Sequence, residues 1–298
     1  MTSYNSTIIS RLKAFTFDIQ TVKALATYFT FGLILTLGFY LRIAGLEKYY
    51  FWGDDAMNLI NANNLNWNLV EFAKFEPHPP LYYFLLKIYM KLFGVESHLG
   101  LRSISLLSGL LTIFLGYFAA INISKNRAVG LLGAFLIATS PPMIEKSQEL
   151  RCYSLELMFL FALVGLVSAE INVNSKLKWL LILAALACLS FYGAIFFVVP
   201  VFMVIFLQLN LSPSKTTKKQ TIGCGFTLIG LIFIIHFLSS QYIVSARNSH
   251  AGYAFTDLSL KTTWIEINKM WAGFFFFYLP QPLTWVCSVA QLIGLGLL

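Results

Sequence analysis

The chain has 298 residues, of which 58% are hydrophobic and only 11% charged, with a mean hydropathy of +0.73. A soluble domain carries about 25% charged residues, so this composition excludes one and points to an all-α, polytopic membrane protein. The net charge of +8 is spread as short lysine and arginine clusters between apolar runs, the pattern that orients spans. With no basic stripe interleaved with aromatics, nucleic acid is not an expected partner.

Residues 25–44 form the first apolar run, and spanning a bilayer takes about 20 such residues. The run is too long for a typical signal peptide and lacks a small-residue cleavage site, so it reads as an uncleaved first span. Arg11, Lys13 and Lys23 precede it, which predicts a cytoplasmic segment 1–24 and an outer segment 45–100. Within that outer segment, the apolar stretch 81–94 is short and carries Lys87 and Lys91. A helix of about 14 residues rises about 21 Å, short of the roughly 30 Å hydrocarbon core, so the stretch is predicted to lie at the interface.

Span two then covers 101–123, running inward to Lys125 and Arg127. Span three covers 128–143 and ends at Pro141-Pro142; span four covers 153–169 and returns before Lys176 and Lys178. Spans five (177–190) and six (191–209) form a tight hairpin leading to Lys215, Lys218 and Lys219. Span seven covers 222–239, a polar outer loop covers 241–269, and an eighth apolar region runs from 271 to the end. This places every lysine-rich short loop inside, whereas counting 81–94 as a span would put the Lys125/Arg127 and Lys176/Lys178 loops outside. The expected location is a cell membrane crossed about eight times, with a cytoplasmic N-terminus. Cys152, Cys188, Cys224 and Cys287 are far apart, without zinc or disulfide spacing, and read as small core residues.

Three polar segments therefore meet on the outer face: 47–80, 145–151 and 241–269. Asp54 and Asp55 stand at a loop-to-helix boundary, where acids are favoured by unpaired backbone N–H groups. They can serve as a helix cap, or Asp54 as a general base. Asp54, Asn58 and Asn61 share one helical face and Met57 and Ile60 another. Asp55 can raise the pKa of its neighbour by like-charge repulsion, or hold a metal or the substrate.

Glu76-Pro77-His78-Pro79-Pro80 sets a bent, extended lead into the interfacial helix. His78 is either part of a rigid turn or a contact for phosphate or metal. Glu145, Glu149 and Glu156 would share a face if a helix ran from the outer loop into span four, with Arg151 between them and Tyr153 next. Glu156 enters the apolar run, and an ionisable residue within a membrane is a functional candidate by default. His236 reads as a hydrogen-bonded core residue. Arg247, Lys261 and Lys269 are solvated loop charges or partners for a lipid phosphate. The aromatic run 274–278 suits an interface or a lipid groove.

Asp54-Asp55, His78 to Tyr83, Leu101-Arg102-Ser103 and the stretch from Ser140-Pro141 to Glu149-Leu150-Arg151-Cys152-Tyr153, taken in this order, resemble a GT-C glycosyltransferase. Within that group the chain is similar to protein O-mannosyltransferases, the aminoarabinose transferase of lipid A and related bacterial enzymes. The resemblance implies an inverting transferase that takes a sugar from a polyprenyl-phosphate carrier at the extracytoplasmic face. It makes Asp54 the catalytic base and Asp55 its companion, at a position where Glu is commoner. It gives Glu149, Arg151 and Tyr153 roles in binding donor or acceptor. Ending at Leu298 inside an apolar run, the chain reads as C-terminally truncated relative to that group.

Elementary chemistry agrees with the resemblance. Nucleotide sugars are not available outside the cytoplasm, so a sugar transferred there is most simply carried by a lipid. Its phosphate leaving group needs charge stabilisation, from Arg151, an outer-loop base such as Arg247, or a divalent metal ion as the one candidate cofactor. The expected partners are the polyprenyl-phosphate sugar, a lipid, glycan or protein acceptor, and membrane lipids. The sequence reading thus names Asp54 and Asp55 as catalytic, and His78, Glu149, Arg151, Tyr153, Glu156 and Arg247 as substrate-binding. The competing readings are a lipid-glycan transporter or flippase component, which needs a polar path through the bilayer, and an inactive fragment.

Overall fold

The computed structural model describes residues 19–46, 53–65, 68–95, 97–170, 173–210 and, between 222 and 241, all but Cys224, Ile235, His236 and Ser239. The chain divides into two units, Met1–Arg247 and Asn248–Leu298, and every described residue belongs to the first. The expectations for Arg247, His236, Lys261, Lys269, the last outer loop and the eighth apolar region lie outside the described residues. Those residues form helices and no strands.

Helix α1, Ile19–Ile43, is the first span of the sequence reading. Its polar intruders Thr27, Thr30 and Thr36 donate their hydroxyls to carbonyls four residues back at 2.8–2.9 Å, so the helix carries them without unpaired groups. Short helices follow: α2, Gly53–Asn64; α3, Leu69–Phe75; α4, Leu81–Phe93; and α5, His98–Leu101. Helix α4 ends at Gly94, where φ is +79°, a conformation costly for any residue with a Cβ. Lys87 of α4 donates its ammonium to the carbonyls of Asn63 and Leu65. It thereby satisfies the carbonyls left unpaired at the C-terminal end of α2.

Helix α6, Ser103–Ser124, corresponds to the second span of the sequence reading and is the spine of the unit. It turns at Lys125, which is left-handed at φ 55°, and Asn126 caps the next helix by accepting the Ala128 N–H at 2.8 Å. That helix, α7, covers Arg127–Thr139 and is followed by α8, Pro141–Gln148. The sequence reading runs span three on to Met143. The structure ends α7 at Thr139 and starts α8 after a bend of 56°, because Pro141 and Pro142 supply no N–H to the carbonyls four residues earlier.

Helix α9, Tyr153–Ser168, packs beside α6 in the same direction. Exposed Lys125 and Glu170, which follow α6 and α9 respectively, form a 2.7 Å ion pair, so both helices finish at one end of the bundle. Helices α10, Val173–Ser190, and α11, Ile195–Asn210, complete the hairpin around the turn Tyr192–Ala194. Leu163, Leu180, Ala184, Ala187, Cys188 and Val198 form its buried core with α9. A further apolar helix covers Gly225–Ile234.

By length and composition, two of the described helices can cross a membrane, Thr21–Ile43 and Ser103–Ser124, and a third if the bent α7–α8 pair counts as one span. Their broad exposed apolar faces, such as Tyr28, Phe29, Leu33 and Tyr40 on α1, are what a lipid-facing surface requires. Opposite the Lys125–Glu170 end, the C-terminus of α1, the N-termini of α6 and α9 and the α7–α8 joint come together. Arg42 reaches Ala138, and Ser105 reaches the Arg151 carbonyl. Helices α2 to α4 pack against this end through Ala62, Leu65, Tyr82, Tyr83, Leu86, Leu150 and Leu155.

Candidate active site

The acid pair opens α2, and the helix separates its members. Turning 100° per residue, it sends Asp55, Asn58 and Ala62 inward, and all three are buried. Asp54 stays at the edge of that face with its side chain 73% exposed. Met57 and Ile60 are exposed on the other side of the helix. Asp55 meets the guanidinium of Arg102, at the α5–α6 joint, at 3.0 Å. The Arg102 side chain is 1% exposed, so the pair is buried and a change to either partner alone leaves a charge without its counterion.

The Asp54 carboxylate is ion-paired with Arg151, across 97 residues of sequence. The Arg151 guanidinium also lies 5.9 Å from the ring centre of Tyr153 and within 3.5 Å of its hydroxyl. The Lys146 ammonium sits 5.2 Å from the same ring and bonds Glu149 at 2.7 Å. Two cations thus flank one aromatic ring beside an exposed carboxylate, an arrangement in which cation–π attraction holds both side chains in place.

The Glu149–Arg151 segment is not helical, contrary to the expectation of one face shared by Glu145, Glu149 and Glu156. Helix α8 stops at Gln148 and Glu149 is extended, with φ −77° and ψ 147°. The segment's carbonyls are engaged elsewhere. Asn58 donates to the Leu150 carbonyl at 2.8 Å, and Ser105 donates to the Arg151 carbonyl at 3.1 Å. Tyr83 in turn donates to Asn58 at 2.9 Å. The break aims Arg151 at Asp54 while Glu156, one turn into α9, is buried.

Burial pushes the Glu149 carboxyl above the usual carboxylate range, against the opposing pull of Lys146. One of its oxygens, Oε2, is buried without a hydrogen-bond partner.

The Glu76–Pro80 turn is a built element as well. Buried Glu76 accepts the His78 backbone N–H at 3.1 Å and lies 2.7 Å from its Nδ1, and it also accepts from Asn61. An ionised carboxylate can only accept, so in this contact it is Nδ1 that carries a proton. The ring sits edge-on to Tyr153, with centres 6.0 Å apart, and 5.9 Å from Phe191. Hence His78, Tyr153, Arg151 and Asp54 form one contiguous chain of contacts. Asp55 and Glu149 stand behind it, and Glu156 lies deeper in α9. Among the described residues no group of three or more His, Cys, Asp or Glu side chains converges as a metal site.

Lys146, Arg102, Glu76 and Asn58 escape the sequence reading as site residues. Lys146 stands three residues before Glu149, a spacing that a helix turns into a pair. Arg102 is a lone arginine between two apolar stretches, and a charge so placed needs a counterion.

Residues 77–239, more than half of the chain, match the family described as dolichyl-phosphate-mannose-protein mannosyltransferase. A comparison with curated proteins finds no match. Among solved structures, the fold is similar to the archaeal oligosaccharyltransferase AglB from Archaeoglobus fulgidus, solved with an inhibitory peptide and a dolichol-phosphate. The TM-score is 0.52 at 14% identity, covering 93% of this chain and 38% of that one. The apo form of the A. fulgidus oligosaccharyltransferase gives 0.51 at 13%, covering 89% and 39%. A form tethered to an acceptor peptide gives 0.51 at 15%, covering 91% and 38%. The chain therefore spans about two fifths of the length of these structures, and at such identities the likeness is one of fold.

Proposed function

We propose, from the premise that this chain belongs to the dolichyl-phosphate-mannose-protein mannosyltransferase family and so to the GT-C superfamily, that it is a membrane glycosyltransferase using a polyprenyl-phosphate-linked sugar. The acceptor is a lipid, a glycan or a protein. The reaction takes place at the extracytoplasmic face of the cell membrane, in a chain of about eight spans with a cytoplasmic N-terminus. The observation that carries the proposal is the Asp54–Arg151 pair at the end of the bundle where the α2–α4 helices gather. It sets an exposed carboxylate beside cations suited to a phosphate.

In this reading Asp54 accepts the proton of the acceptor nucleophile as that nucleophile bonds to the anomeric carbon. The bond between the anomeric carbon and the phosphate oxygen breaks, and polyprenyl phosphate leaves with the electron pair. One base acting opposite the leaving group inverts the anomeric centre, since retention would need a second, nucleophilic carboxylate. Asp55 is held by Arg102 and serves by fixing α2. Arg151, with His78 and Tyr153, binds the donor phosphate and its sugar, as does Arg247 from the last outer loop. Glu149, in the stretch before α9, and Glu156, buried in its first turn, back this substrate side.

Proteoliposomes loaded with a polyprenyl-phosphate-linked radiolabelled sugar and cell-envelope acceptors test this reading. Transfer with inversion, and none from nucleotide sugars, is the expected result. Movement of the lipid-linked sugar between leaflets with no transfer would instead identify a flippase.

A further inference from the structure

The side chain of Arg42, 1% exposed at the end of α1, is absorbed neither by the proposed chemistry nor by any ion pair among the described residues. Its partners are backbone carbonyls. Nη1 donates to Ala138 and to Gly38, each at 3.1 Å, and Nη2 donates to Ile137 at 3.3 Å. In a continuous helix the Ile137 carbonyl would receive the N–H of residue 141, and that of Ala138 the N–H of residue 142. Both are prolines and have no N–H to give. The guanidinium therefore supplies the two donors that the prolines remove, and its charge sits at the C-terminal ends of both α1 and α7, where it is favoured.

The contact is reciprocated. Gln148, at the far end of α8, donates its amide to the carbonyls of Arg42 at 3.0 Å, Leu41 at 3.3 Å and Ala44 at 3.4 Å. So α1 satisfies the joint before α8, and α8 satisfies the end of α1. Three residues past Gln148 comes Arg151, and twelve past Arg42 comes Asp54.

We propose that Arg42 is a positioning residue of the site. Together with Gln148 it forms a clamp that holds the 56° bend at Pro141 and so sets the distance between Asp54 and the Arg151 segment. The catalytic part of this inference rests on the function proposed above; the geometric part does not.

The test compares full-length wild type, Arg42→Met, and Arg42→Met with Pro141→Ala and Pro142→Ala, in detergent and in proteoliposomes. Each is measured for its thermal midpoint and for transfer. Each is also rebuilt with Asp54→Cys and Arg151→Cys, and the linked 54–151 peptide is quantified by mass spectrometry after a short bifunctional thiol reagent. Arg42→Met is expected to lower the midpoint by roughly 5 °C, having left two buried carbonyls unpaired. It is expected to cut both cross-link yield and turnover, the latter by roughly 100-fold for a displacement near 1 Å. Restoring the N–H groups in the triple variant is expected to recover the midpoint while straightening the joint, so cross-linking and turnover stay low.

An unchanged midpoint in Arg42→Met, or no recovery of it in the triple variant, overturns the carbonyl pairing. Recovery of cross-linking along with the midpoint overturns the positioning role and leaves Arg42 a merely structural residue. Should wild type transfer no sugar at all, the functional reading fails by itself, and midpoint and cross-link still judge the clamp.

Discussion

Asp54 and Asp55 are chemically identical neighbours with opposite fates. One is exposed beside Arg151 and the other is buried against Arg102. Removing one member of a buried ion pair costs about 3–5 kcal/mol, so Asp55→Ala is expected to lower the unfolding free energy by that order. Asp54→Asn, at an exposed position, is expected to leave it within about 0.5 kcal/mol. Chemical denaturation of the two purified variants separates them. Glu149 offers a pH-dependent counterpart. Its carboxyl is raised by burial, so the folded protein holds that proton more tightly than the unfolded chain. The linked cost is absent below the unfolded value, grows as pH rises towards the folded value and is complete above it. Glu149→Gln is therefore expected to gain stability relative to wild type as pH rises above the ordinary glutamate value of about 4.3. A difference between the two midpoints that does not change with pH would refute the assignment.

At the scale of elements, the site is made where helices stop. Proline ends α7, a glutamine turned towards α1 accompanies the end of α8, and the non-helical 149–152 stretch delivers Arg151. Packing there is tight. A Cβ on Gly109 of α6 would lie 2.6 Å from the Ser147 Cβ and 3.0 Å from Arg42 Nε, and neither neighbour is free to move, since both are buried. Gly109→Ala is accordingly expected to cost about 1–3 kcal/mol by overpacking, read as a lower thermal midpoint, whereas Gly32→Ala, with open space at its Cβ, is not.

Apolar run length and charge were enough to read α4, α6 and α9 to within two residues and the end of α1 to within one, because a lipid-facing or half-buried helix announces itself by composition. The break at 149–152 was not legible. It depends on Asn58, Ser105 and Gln148 donating to backbone carbonyls 46 to 106 residues away, and no local pattern encodes that. Asp54, Arg151 and Tyr153 were legible as candidates. Arg102, the partner of Asp55, and Lys146, beside Tyr153, were not, since a single basic residue next to an apolar run looks the same whether it faces solvent or a protein partner.

Over the whole molecule, the described helices form one bundle whose ends differ in kind. At one end an exposed lysine–glutamate pair joins two helix termini. At the other, buried arginines, interlocked carbonyls and an acid–cation–aromatic cluster gather beneath the α2–α4 helices. Such asymmetry suits a reaction confined to one face of a membrane, and the proposed chemistry hangs on one side chain. Turnover of Asp54→Asn in proteoliposomes with a polyprenyl-phosphate sugar, at wild-type protein level and thermal midpoint, is the most direct measure. A loss of roughly 100-fold or more is expected for a missing general base; turnover equal to wild type would contradict the account.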